Sequence, residues 1–157
     1  MKRILIAFLI ILCLLLCSCA KTPTLSGNIS ETAEVSLRDE TYSVRIESVD
    51  DGSVIITMLS PKNISGISYH YQEDQLTVEY EKLRCITDIA YLPQGAVPCA
   101  LYEAVTAIPE AQYQSSQDGE DVFSCADGRF SVKAKDGKIS EICDTKYGYV
   151  FSFYQSG

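Results

Sequence analysis

The sequence is short of the residues from which most active sites are built. Among 157 residues there is one histidine, His70, and no tryptophan. No Gly-x-Ser-x-Gly, His-Glu-x-x-His or phosphate-loop motif occurs. A Ser-His-Asp or Cys-His site would therefore have to use His70. These absences argue against the common hydrolases, zinc proteases and nucleotide-binding enzymes, and they favour a protein that is not an enzyme.

Basic residues are also scarce. The chain has 13 Lys and Arg against 21 Asp and Glu, which gives a net charge of −8. Loss of a leader that carries Lys2 and Arg3 would bring the charge to about −10. A body this acidic is repelled by nucleic acids and by anionic membrane surfaces. The composition therefore predicts no nucleic-acid partner.

The cysteines do not form a metal motif. Seven are present, and no Cys-x-x-Cys pair occurs. Zinc sites usually have closely spaced ligand pairs, so we predict no metal and no cofactor. Four cysteines lie beyond the N-terminal region, and in an exported domain they allow three disulfide connectivities or simple burial as small apolar residues. These four are Cys85, Cys99, Cys125 and Cys143.

The N-terminus has the pattern of an export signal. Lys2 and Arg3 precede the apolar run Ile4–Leu16, which is shorter than the roughly 20 residues that span a membrane. Leu16-Cys17-Ser18-Cys19 then resembles the lipobox of bacterial lipoproteins. The resemblance implies cleavage after Ser18 and two acyl chains on Cys19, which make a stable membrane anchor. An uncleaved, tilted signal anchor over Ile4–Ala20 is the alternative.

These features predict the domain organisation. Residues 1–18 are a lipoprotein signal peptide, and residues 19–32 are a lipid-anchored flexible tether rich in Pro, Gly, Ser and Thr. Residues 33–157 are a single antiparallel β domain with one helix near 98–108. The expected location is the extracytoplasmic face of a bacterial cell membrane, where the lipid on Cys19 holds the chain.

Alternating apolar and polar residues predict the first strands. The apolar positions of the first run, Tyr42, Val44 and Ile46, are followed by a turn at Asp51-Gly52. A two-residue turn there places this run on one face with Ile55 and Leu59. The next strand then has a second apolar face, and we predict that another element covers it. This second face consists of Val54, Ile56 and Met58.

Further hairpins follow along the chain. Residues 66–82 predict a hairpin with a turn at Glu73-Asp74, and His70 falls on its polar face as a solvated surface residue. Turns at Asp118-Gly119 and Asp136-Gly137 separate later strands, and Glu141 requires a bulge if it is not to lie beside Val132. The final strand contributes Tyr149, Phe151 and Phe153 from one face, or Val150 and Tyr154 from the other.

One helix interrupts the strands. Pro98 suits a first helical turn, Pro109 ends the helix, and Val97, Leu101, Val105 and Ile108 recur at helical spacing. The predicted fold class is mainly β (α+β), a curved antiparallel sheet or half-barrel meander of about 8–9 strands.

The order of these elements resembles the LolA/LolB-like lipoprotein carrier and receptor superfamily. The local match is Leu59-Ser60-Pro61 leading into Ile64-Ser65-Gly66-Ile67 and a Tyr-rich hairpin. The resemblance implies a curved sheet around an apolar cavity that takes a lipid or a lipoprotein acyl chain. The residues we expect to line such a cavity are Val54, Ile56, Met58, Leu101 and Val105.

Two functions remain open. The first is a non-enzymatic binding module for an apolar ligand or acyl chain. The second is a lipid-anchored protein-interaction or accessory domain of the cell envelope with no small ligand. A connected apolar cavity under the helix favours the first, and a filled core with an exposed aromatic patch favours the second.

Overall fold

The computed structural model describes residues 23–25, 28–48 and 52–154. The predicted signal peptide and Cys19 lie outside the described residues. In the part of the chain that is described, no helix has the length and apolar character needed to cross a membrane.

The described residues form eleven strands, one α-helix and two 3₁₀ turns. The strands are β1 Ser30–Leu37, β2 Glu40–Ser48, β3 Val54–Ser60, β4 Ser68–Gln72, β5 Gln75–Tyr80, β6 Leu83–Asp88, β7 Gln112–Gln117, β8 Glu120–Cys125, β9 Phe130–Lys135, β10 Lys138–Asp144 and β11 Tyr149–Tyr154. The helix α1 is Val97–Ala107, and the 3₁₀ turns are Ile89–Tyr91 and Ile108–Glu110.

All eleven strands join one antiparallel sheet in the order β6-β5-β4-β3-β2-β1-β11-β10-β9-β8-β7. The strands β6 and β7 are its two edges, so the curved sheet stays open. The connection between these edges carries α1, which packs against β3 and β10 and covers what we call the inner face. The predicted fold class is confirmed, with more strands than expected.

Two of the extra strands have weak sequence patterns. Strand β1 buries only Ala33 and Val35 among its eight residues, so its alternation is short. It begins at Ser30, and therefore residues 30–32 of the predicted tether belong to the sheet. Ile29 is already buried, and its N–H donates to Ser48 Oγ at 2.7 Å. Strand β6 is exposed over most of its length, and the sequence pattern missed it.

The predicted register of β2 and β3 is wrong by one residue. Ile46 pairs with Ile56 and Ser48 with Val54, whereas a two-residue turn at Asp51-Gly52 would pair Ser48 with Ile55. A one-residue slip moves every side chain to the opposite face. Val54, Ile56 and Met58 therefore lie on the inner face beside Val44 and Ile46, and β3 alternates between buried and less buried positions.

Later elements follow the sequence closely. In the β4–β5 hairpin, Tyr69 pairs with Val78 and Tyr71 with Leu76, as predicted. The register shifts between Ile139 and Glu141, which confirms the expected bulge and places Glu141 opposite Lys133. The helix begins at Val97, one residue before its predicted start, and a 3₁₀ turn at Ile108 ends it.

Candidate functional site

The five residues predicted to line a cavity come together under α1. Val54, Ile56 and Met58 of β3 are at most 2% exposed, and Leu101 and Val105 of α1 are at most 3% exposed. All five belong to the same packed cluster of the core. The structure places all five in the hydrophobic core beneath the helix.

Aromatic stacking holds the helix at one side. Tyr71 of β4 stacks on Tyr102 of α1, with ring centroids 4.2 Å apart and planes 9° from parallel. Tyr71 is almost fully buried, and this burial raises the pKa of its phenol well above the ordinary value. The phenol therefore stays neutral at any physiological pH. This contact closes the inner face next to β4.

A buried ion pair holds the other side. Arg129 lies between Glu103 of α1 and Asp144 of β10, with nitrogen–oxygen distances of 2.7 and 2.9 Å. Its Nε also donates to Asp144 Oδ1 at 3.2 Å. The hydrogen bonds that Arg129 donates to Asp144 raise the pKa of its guanidinium; burial opposes this rise, and the hydrogen bond donated to Glu103 adds to it. The guanidinium also covers the Phe130 ring at 4.5 Å. This arrangement fixes α1 against β9 and β10.

Beyond the helix, the inner face is half-buried at first and becomes exposed toward the β6 edge. The row Ile56, Tyr69, Val78 and Cys85 crosses four neighbouring strands on this face. Exposure increases along it, from the buried Ile56 to the exposed Cys85. In the adjacent row Tyr80 is 42% exposed and Leu83 is 73% exposed. We call Tyr69, Val78, Tyr80, Leu83 and Cys85 the open strip.

The open strip is a candidate binding surface, and the sequence did not predict its β6 part, Leu83 and Cys85. Exposed single leucines are ordinary, but an apolar patch that continues from the core is informative. The spacing of Leu83, Cys85 and Thr87 is typical of one face of a strand. Ile86 is also apolar but lies on the opposite face, so the alternation of apolar and polar residues is incomplete. Burial raises the pKa of the Tyr69 phenol, so this ring is also a neutral, apolar surface at physiological pH.

His70 lies on the outer face, on the side of the sheet away from α1. Its Nε2 is 3.7 Å from Glu79 Oε2, and Arg84 Nε is 3.3 Å from Glu79 Oε1. The His70 side chain is 37% exposed. Solvated pairs of this kind contribute little to stability, and nothing here orients His70 as a base. Among the described residues, no three His, Cys, Asp or Glu side chains converge on a potential metal position.

The four cysteines of the body are free thiols. Cys99 and Cys125 are buried, Cys143 is half-buried and Cys85 is exposed. Burial raises the pKa of the first three thiols, which keeps them protonated and weakly nucleophilic. The structure shows no disulfide among these four, and only Cys99 and Cys125 are the small buried residues that the sequence offered as the alternative.

Three surface pockets are described away from the helix. One of about 250 Å³ lies between β1 and the β9–β10 turn, beside Ile29, Ile139 and Phe153. A polar one of about 270 Å³ lies beside Ser124 and Asp127. A third of about 400 Å³ lies beside Tyr42 and Ile64. None of these three is lined by the five residues predicted as a cavity wall.

Comparison with known proteins finds structural neighbours only. No protein-family model matches this sequence, and no curated protein matches it. A LolA superfamily protein from Nitrosomonas europaea is similar with a TM-score of 0.45 and 11% identity, over 79% of this chain and 81% of that one. An outer membrane lipoprotein-sorting protein domain from Vibrio parahaemolyticus has a TM-score of 0.41 and 14% identity, over 80% and 69%. At these identities the likeness concerns the fold alone.

Proposed function

We propose that this protein is a non-enzymatic binding module, anchored by lipid on Cys19 to the extracytoplasmic face of a bacterial membrane. Its open strip binds an acyl chain of a lipid or lipoprotein. The observation that carries this proposal is the continuity of the strip with the core: the same face of the same sheet is buried at Ile56 and exposed at Leu83. An apolar face left open in this way gains free energy when an apolar chain covers it.

The chemistry of the strip suits an acyl chain. Leu83, Val78 and the rings of Tyr69 and Tyr80 supply apolar contacts without a nearby fixed charge on the same face. Burying six methylene groups at about 0.8 kcal/mol each supplies roughly 5 kcal/mol, before the cost of immobilising the chain. The tyrosine hydroxyls provide polar groups where the chain meets water or a headgroup.

Substitution of Leu83 tests the binding surface. We expect Leu83→Gln to weaken binding of a fluorescent fatty acid at least fivefold, because it places an amide in the middle of the apolar strip. The matched control is Leu59→Gln, a 36% exposed leucine on the outer side of β3. It should leave the affinity unchanged. Equal affinities for the two variants, or no probe binding by the wild type, would reject the strip as the site.

The anchor is a separate prediction. Cys19→Ala should remain an unprocessed precursor that no longer incorporates radiolabelled palmitate, because the thiol is the only acceptor that the lipobox spacing provides. Metabolic labelling followed by gel analysis measures this. The Cys17→Ala variant is the control and should label normally. Continued labelling of Cys19→Ala would show that Cys19 is not the lipidated residue. Loss of label in Cys17→Ala alone would show that the lipid is carried by Cys17.

A protein-interaction domain without a small ligand is the second candidate. It is favoured by the burial of Val54, Ile56, Met58, Leu101 and Val105 in one core cluster under α1, and by the exposed side chains of Tyr80, Leu83, Ile86 and Tyr91. Such a surface would bind a protein partner equally in delipidated and lipid-loaded preparations. Acyl-chain binding instead predicts that a fatty acid competes with any partner at the strip.

A further inference from the structure

The two edges of the sheet differ in how well they are protected. Strand β7 is polar, with the sequence QYQSSQ, and its pairing with β8 shifts register between Tyr113 and Ser115. A bulge is one of the usual means by which natural sheets prevent edge pairing. Strand β6 has neither a bulge nor a proline, and it pairs with β5 in unbroken register. It also exposes Leu83 and Ile86.

The hairpin geometry shows which backbone groups of β6 point outward. Tyr80 and Leu83 flank a two-residue turn, so they form a hydrogen-bonded pair, and such pairs recur at every second residue. Leu83, Cys85 and Thr87 therefore direct their N–H and C=O groups toward β5. Ile89 continues this parity, because its N–H donates to Asp74 O. Arg84 and Ile86 direct theirs away from the sheet, and so does the N–H of Asp88, whose C=O begins the 3₁₀ turn Ile89–Tyr91.

The outward-facing residues of one β6 strand are complementary to those of the same strand in a second copy of the chain. If two β6 strands pair antiparallel about a two-fold axis at Ile86, Ile86 faces its own copy and Arg84 faces Asp88 of the other chain. Ile86 then forms a hydrogen-bonded pair with its copy, the Arg84 C=O accepts from the Asp88 N–H of the other chain, and two opposite charges meet twice. Arg84 contacts Glu79 through Nε, and Asp88 caps Ala90 through Oδ1 alone. The Arg84 terminal nitrogens and Asp88 Oδ2 are not used by these two contacts.

We propose that two copies of this chain pair through β6 in this register. The two sheets then form one continuous sheet with the inner faces on the same side, since paired residues on antiparallel strands share a face. The open strips of the two copies become neighbours across the axis. The pairing itself involves only β6 and does not depend on acyl-chain binding. Either proposal can therefore be wrong while the other holds.

Charge reversal tests the pairing on the full chain. Two differently tagged copies are co-expressed, extracted in mild detergent and co-purified through one tag. Wild type should co-purify with itself, whereas Arg84→Asp with itself and Asp88→Arg with itself should each fall at least fivefold, because like charges then face each other twice. Arg84→Asp mixed with Asp88→Arg should recover, because every facing pair is again opposite in charge. The control is Ser116→Asp on the β7 edge, which should match wild type.

Disulfide trapping provides a second measurement that does not rely on charge. In a Cys85→Ser background, Ile86→Cys should cross-link to its copy on mild oxidation, since hydrogen-bonded partners lie about 5.5 Å apart at Cα. Arg84→Cys in the same background should not, because its partner is Asp88. Failure of wild-type self-purification, or failure of the mixed pair to recover while Ile86→Cys does not cross-link, would overturn the proposal. Recovery of the mixed pair would also show that both variants fold.

Discussion

Asp144→Asn should lower the free energy of unfolding by about 3–5 kcal/mol, the range found when one partner of a buried ion pair is removed. The Asp144 side chain has no exposed surface and accepts hydrogen bonds from Arg129 Nε, from an Arg129 terminal nitrogen and from the backbone N–H of Lys146. The amide has no charge to offset that of Arg129. Urea unfolding of the purified variant measures the loss.

Glu141→Gln is the matched control for this prediction. Glu141 lies three positions earlier on β10, and its Oε1 is 2.7 Å from Lys133 Nζ in a pair that remains partly solvated. Exposed pairs contribute about 0–1 kcal/mol, so the control should unfold close to wild type. If both variants lost the same free energy of unfolding, the ion pairs of Arg129 with Glu103 and Asp144 would not be what fixes α1 to the sheet.

Ile56→Ala should cost about 2–5 kcal/mol, because a fully buried isoleucine in a packed core leaves a void when it is truncated. Ile55 is its neighbour on the half-buried outer side of the same strand. Ile55→Ala should cost roughly 1 kcal/mol or less. The pair compares the same chemical change on the two faces of β3, so strand propensity cancels.

The same two variants test whether the space under α1 is filled. A loss of less than about 1 kcal/mol for Ile56→Ala, together with a change in fatty-acid affinity, would indicate that Ile56 lines a cavity. That result would restore the site expected from the sequence and move acyl-chain binding from the open strip to the space beneath the helix. A large loss with unchanged affinity supports the packed core described here.

The sequence predicted those elements whose periodicity was complete. The helix has four apolar residues at helical spacing, with Pro98 in its first turn and Pro109 after its last residue, and its observed bounds differ from the expected ones by one residue. The β4–β5 hairpin and the bulge beside Glu141 were also predicted, because in each case only one register keeps apolar residues on one face. These are local patterns, and the folded protein retains them.

The errors have specific physical origins. Asp51-Gly52 is a strong hairpin signal, and the register of β2 and β3 was predicted from a two-residue turn there. In the structure Ser48 pairs with Val54, which such a turn does not allow, so the predicted register is wrong. Strand β6 has apolar residues on both faces and few buried positions, so alternation did not distinguish it from a loop. The open strip lies on the face set by the β2–β3 register and includes β6. It could therefore be located only from the order of the strands in the sheet.

Much of the candidate site therefore could not be read from the sequence. Val54, Ile56, Met58, Leu101 and Val105 were correctly grouped, because apolar residues of a strand and a helix that face each other must meet. Periodicity reports burial but does not distinguish a packed contact from a cavity wall. The clamp of Arg129, Glu103 and Asp144 joins residues far apart in the chain, and no sequence pattern indicated it.

The most direct test of acyl-chain binding is native mass spectrometry of the full chain extracted from membranes in a mild detergent. The account predicts a noncovalent adduct of acyl-lipid mass on wild type and on Leu59→Gln, released by collisional activation, and its loss from Leu83→Gln. Wild-type protein with no such adduct, or an adduct that persists in Leu83→Gln, would contradict the open strip as an acyl-chain site.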